Sequence, residues 1–74
     1  MKLYAIFATY KGGNGYYNAV FQDKNGKHWL GGNHLKPLLF HTKREAEVEK
    51  RKVKAAWRDY HVLVVRNAAI VVND

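Results

Sequence analysis

The sequence predicts an α+β fold of order β-β-β-α-β: a three-stranded antiparallel sheet made of β-hairpins, one amphipathic helix packed on one sheet face, and a C-terminal strand. Three observations carry this expectation. The stretch Thr42–Tyr60, TKREAEVEKRKVKAAWRDY, contains no Gly or Pro and repeats its apolar residues at helical spacing. The residues before it fall into short aromatic and β-branched runs separated by Gly- and Asn-rich clusters. The residues after it open on HVLVV, His61–Val65. With 74 residues the chain is one small domain, 1–74, of a size that buries only roughly 60% of its unfolded surface. It has no cysteine, so a folded monomer needs a dense aromatic core, a partner, or both. Five Tyr, three Phe and two Trp supply the first.

Leu3–Tyr10, LYAIFATY, is apolar on both alternating sets, with Leu3, Ala5 and Phe7 on one side and Tyr4, Ile6 and Tyr10 on the other. A strand apolar on both faces belongs in the middle of its sheet. Lys11-Gly12-Gly13-Asn14-Gly15 then supplies the residues a tight reversal needs. No Gly-Lys-Ser/Thr follows it and the next segment reads as a strand, so this is a hairpin loop rather than a phosphate cradle. Tyr16–Gln22, YYNAVFQ, alternates as a half-buried strand with Tyr17, Ala19 and Phe21 expected inward. Asp23-Lys24-Asn25-Gly26 predicts a type I turn with Gly26 left-handed. Lys27–Leu30 returns as a short third strand that places Trp29 and Leu30 on opposite faces.

Gly31-Gly32-Asn33-His34 ends that pattern, and Pro37 argues against a central strand in the segment that follows. Leu35–Phe40 is expected to be an extended crossing, with Leu38 and Phe40 under the start of the helix. Thr42 with Glu45 forms a capping box: the Thr hydroxyl accepts from the N3 amide and the Glu carboxylate reaches back to the N-cap amide. Ala46, Val53, Trp57 and Tyr60 share one helical face, which Ala56 widens. Arg44, Arg51, Lys54 and Arg58 share the other, with Lys43 and Lys50 at its border. The glutamates precede most of the cations, as the helix dipole favours. Val53, Trp57 and Tyr60 are expected to seat on Phe7, Tyr17 or Phe21 and on the last strand. Ala69–Val72, AIVV, continues that strand after a bulge or forms a further one.

The charge is as informative as the pattern. Thirteen Lys and Arg against six Asp and Glu give a formal +7. Of those cations, Lys43, Arg44, Lys50, Arg51, Lys52, Lys54 and Arg58 fall in the helix stretch. Such a field favours polyanionic partners. No run approaches the ~20 apolar residues of a membrane span, and the N-terminus lacks a cleavable leader pattern. The expectation is therefore a soluble, cytoplasmic protein that makes no membrane contact.

Catalytic chemistry finds little to work with. The chain has no serine and no thiol. Its carboxylates are few, and Glu45, Glu47 and Glu49 alternate along one helix. His28, His34, His41 and His61 lack the i,i+3 or i,i+4 spacing of a helical metal pair. The expectation is no enzyme, with no catalytic residue, metal or cofactor.

Asn25-Gly26-Lys27, followed by Phe40, Thr42, Lys43, Glu45 and Ala46 opening a helix after three strands, resembles the arm-type DNA-binding domains of mobile-element integrases over roughly residues 16–47. The resemblance implies a sheet whose second and third strands face the DNA major groove. The Gly/Leu/Pro segment between sheet and helix, and the strong strand after the helix, depart from that family's pattern.

Two functions follow as expectations. The first is a non-enzymatic nucleic-acid-binding module, for DNA ahead of RNA, whose contacts are Lys43, Arg44, Lys50, Arg51, Lys54 and Arg58. Lys24, Lys27 and Lys36 join them if the hairpin lies beside the helix. The second is a small phage or mobile-element protein that inhibits a host nucleic-acid-processing protein by docking the same basic surface on an acidic one. Homodimerisation through an open strand edge at Ala69–Val72 is a third reading.

Overall fold

A computed structural model describes residues 3–31 and 35–66. The AIVV run, and with it the dimer edge expected there, lies outside the described residues. In chain order the elements are β1 (Tyr4–Tyr10), β2 (Asn18–Gln22), β3 (His28–Leu30), β4 (Lys36–Pro37), β5 (Leu39–Phe40), α1 (Lys43–Ala56) and β6 (Tyr60–Arg66). The fold is α+β, with an antiparallel sheet and one helix packed against it.

β1 is the middle strand. It pairs with β6 from Tyr4↔Arg66 to Tyr10↔Tyr60 along one edge. Its other edge meets β2 at Phe7↔Ala19 and Ala8↔Asn18, and β5 at Tyr4↔Phe40 and Ala5↔Leu39. Both of its faces are buried, Ile6 and Ala8 on one and Ala5 and Thr9 on the other. The β1–β2 ladder is short, so the two strands part beyond it. The Leu35–Phe40 crossing fills the fork as two short strands, β4 on β2 at Phe21↔Pro37 and Gln22↔Lys36 and β5 on β1. The Leu38 amide donates to the Val20 carbonyl between them, at 3.3 Å. Pro37 is tolerated because its strand is only two residues long.

Ile6, Ala8, Val20, Val53 and Val62 form the core between sheet and helix, with Leu30, Leu38, Phe40, Trp57 and Tyr60 packed around it. Ile6, Val20 and Val53 are fully buried, each contributing about 1.5–3 kcal/mol. This corrects the expected inward set of the second strand. Val20 is 1% exposed, whereas Tyr17 is 41% exposed and precedes β2. Both sheet faces are apolar, so alternation alone does not show which one the helix covers. The helix takes the side carrying Ala8 and the β-branched Ile6, Val20 and Val62. On the opposite side the neighbours Phe7, Ala19 and Leu63 remain half-buried.

Thr42 caps α1 in extended conformation, its hydroxyl oxygen accepting from the Glu45 amide at 3.2 Å. The box closes differently from expectation. The Thr42 hydroxyl itself donates to the Glu45 carboxylate at 2.9 Å, rather than the carboxylate reaching the Thr42 amide. Thr42→Ala removes both bonds and is expected to cost about 1 kcal/mol, or roughly 4–8 °C of melting temperature in a domain this small. A melt within error of the parent would show that the cap is energetically silent.

The helix also stops earlier than its pattern suggests. Trp57 is the C-cap; its amide closes the last helical bond to the Val53 carbonyl at 2.8 Å, and its own carbonyl accepts from the Tyr60 amide at 3.1 Å. Tyr60 therefore begins β6, and Ala56 is exposed instead of widening the docking face. A four-residue turn thus carries the chain from helix to sheet.

The β2–β3 turn is as predicted. The Gly26 amide donates to the Asp23 carbonyl at 3.0 Å, and Gly26 has φ +85°, a conformation that side chains resist. Three donors converge on the Asp23 carboxylate: the Trp29 indole N–H at 3.0 Å, and the Asn25 and Lys27 amides at 2.9 Å each. The Trp29 bond first, then that of Lys27, holds the carboxyl below its ordinary 3.8. A depressed folded value stabilises above the ordinary one, and that contribution is lost as pH falls through the depressed value. The turn is thus expected to loosen only below the usual Asp titration range. The Trp29 indole proton resonance reads this directly, and a midpoint at or above 3.8 would overturn the assignment.

Candidate nucleic-acid interface

The helix glutamates are occupied within the fold. Glu45 closes the cap. Glu47 faces Lys50 at 3.5 Å, and Glu49 meets His28 at 2.8 Å and Lys52 at 3.8 Å. Five other cations of this stretch are not so occupied. Lys43, Arg44, Arg51, Lys54 and Arg58 are exposed and, among the described residues, make no ion pair. Arg44 and Arg51 project within about 20° of each other around the helix axis, and Arg58 continues from the turn beyond the C-cap. Lys50 is half-buried and shared with Glu47.

The hairpin lies beside the helix, but on another flank. The half-buried His28–Glu49 pair joins β3 to α1, and the His28 ring meets Trp57 edge-on at 6.4 Å. Glu49 sits roughly 140–160° around the helix from Lys54 and Arg51. Lys24 and Lys27 are thus separated from the ridge, and the Lys27 ammonium lies 4.6 Å from the centre of the Trp29 ring. Lys36 pairs with Gln22 in β4.

The structure instead brings other residues to the far end of the ridge. Pairing of Tyr10 with Tyr60 sets the end of β1 beside the start of β6. The Lys11 amide donates to the Asp59 carbonyl at 2.9 Å, which fixes Lys11 at the turn after the helix. An open cleft of about 460 Å³ results, surrounded by Lys11, Tyr17, Lys54, Arg58, Tyr60 and His61. Among the described residues no carboxylate lines it. Tyr60 is held by ring contacts, packing on Trp57 at 5.2 Å and on Tyr10 at 5.4 Å. A side chain at Gly12 would bring its Cβ to 2.8 Å from the Tyr10 ring, so glycine there lets that ring lie against the backbone. Lys11, Tyr60 and His61 were not among the residues the sequence singled out for the site. Their convergence depends on strand register, which no local pattern encodes.

Among the described residues no group of three or more His, Asp or Glu side chains is placed to hold a metal, and no helix is long and apolar enough to cross a membrane. Compared with known protein families, curated proteins and solved structures, the chain matches none.

Proposed function

We propose that this chain is a non-catalytic nucleic-acid-binding module that engages phosphates through the exposed face of α1. One observation carries the reading: the helix acids are engaged by the cap and by pairs with His28, Lys50 and Lys52, while Arg44, Arg51, Lys54 and Arg58 face solvent without an ion pair among the described residues. An ordinary solvated helix intersperses its charges so that they cancel. Here Glu49 points to another flank, and Glu47, which shares a flank with Arg44, Arg51 and Lys54, is engaged by Lys50 at 3.5 Å; residues 42–60 carry seven cations against four acids.

Four phosphate contacts release counterions with a slope of about −3 to −4 in log affinity against log salt on duplex DNA, and somewhat less on single strands. Fluorescence anisotropy with labelled oligonucleotides at several salt concentrations measures it. Loss of binding as salt rises, with a slope in that range, supports the reading. Absence of binding to any nucleic acid at low salt overturns it, and direct, salt-sensitive capture of a purified acidic nucleic-acid-processing protein would then favour the inhibitor reading.

A further inference from the structure

We infer that the cleft at the β1–β6 end is a single-strand subsite, which seats an unpaired nucleotide with its base on Tyr17 and its phosphates between Lys11, Lys54 and Arg58. This rests on the proposed function and narrows it from nucleic acid in general to strands with accessible bases. Three cations meet at the cleft from three elements: the loop after β1, the last turn of α1, and the turn that follows it. The carbonyl end of α1 lies nearby and contributes a partial negative charge of about one half. Three full positive charges outweigh it, and the nearest acid in sequence, Asp59, is not among the described residues that line the cleft.

The aromatic component separates this site from a plain phosphate cradle. Tyr17 lines the cleft, is 41% exposed, and precedes β2, so its ring is not needed to fill the core. Tyr16 beside it is 74% exposed. Exposed flat rings next to a cationic groove are what unpaired bases stack on, whereas a duplex hides the faces of its bases and offers a ring nothing to stack against. A helix ridge of arginines treats duplex and single strand alike through phosphate. The cleft adds a term that only single strands collect.

The test uses the full chain with three labelled probes of about 12 nucleotides, a length within the usual single-strand site range: a thymidine strand, a uridine strand and a mixed-sequence duplex. Tyr17→Ala is expected to weaken both single strands by about 10-fold and the duplex by less than about 2-fold. Tyr17→Phe keeps the ring and is expected to bind as the parent does, which separates stacking from hydroxyl contacts and from misfolding. Lys11→Ala is expected to lower the single-strand salt slope by about 0.7. Equal effects of Tyr17→Ala on duplex and single strands, or no effect on either, would overturn the subsite while leaving the helix-face reading in place. If the parent binds none of the probes, both fail.

Discussion

Reversing Arg51 and Arg58 together to Glu is expected to abolish nucleic-acid binding at moderate salt and to leave the thermal melt unchanged. Both side chains are exposed and, among the described residues, neither makes an ion pair, so no internal contact is lost. Each reversal removes two units of charge, which takes the formal net charge from +7 to +3. A hydrogen bond to a charged group contributes about 1.5 kcal/mol or more. Losing two therefore weakens binding at least about 100-fold, and repulsion between the new glutamates and phosphate adds to that. The salt slope on duplex should fall by about 2. A control is needed because net charge alone steers encounter. Lys24→Glu with Arg66→Glu makes the same change in total charge at exposed positions off the ridge. If that pair weakens binding as much as the ridge pair, the effect is one of overall field and the helix face is not the contact surface. If the ridge pair binds normally, the surface lies elsewhere.

Trp57→Ala is expected to lower the melting temperature by more than about 10 °C. Truncating a core Trp costs about 3–5 kcal/mol, and the half-buried Trp57 belongs near the lower figure. Domains of this length hold roughly 0.05–0.15 kcal/mol per residue, so about 3 kcal/mol is a large share of the total. Trp57 is also where several parts of the fold meet. Its ring packs on Tyr60 of β6 and meets His28 of β3 edge-on, while its backbone both caps α1 and starts the turn into β6. Removing it loosens the helix end, the sheet edge and the His28–Glu49 contact together. Thermal or chemical denaturation followed by circular dichroism measures the loss. A melt within about 3 °C of the parent, equivalent to less than 1 kcal/mol, would show that the ring is not a structural joint.

Much of the fold was legible in the sequence because its signals are local. Asp23 to Gly26 dictate their turn through one side-chain acceptor and one left-handed glycine. Thr42 and Glu45 mark the helix start within a single turn of chain. Leu3–Tyr10 announces a central strand because both of its alternating sets avoid water, and Ala5 and Ile6 are both buried. Where the reading missed, two local rules competed. The helical repeat runs through Trp57 and Tyr60, yet Tyr60 pairs with Tyr10 as a strand residue. A β-branched run begins right after Tyr60, and the ladder to β1 outweighs three more helical residues. Tyr17 kept its place in the alternation but lies before the strand begins, so its ring faces solvent instead of the core.

The candidate site divides along the same line. Sequence alone determined that a cationic helix face exists, because the positions of Arg44, Arg51 and Lys54 around the axis of α1 follow from spacing, whereas Arg58 lies in the turn beyond it. Tertiary structure decided where Glu49 is engaged, since it meets His28 from another element 21 residues away. It also decided that Lys11 and Tyr17 join Lys54 and Arg58, because strand register and the Lys11–Asp59 bond bring together residues that are distant along the chain. Spacing along one helix is fixed by covalent geometry, whereas proximity between elements is fixed only when the core closes.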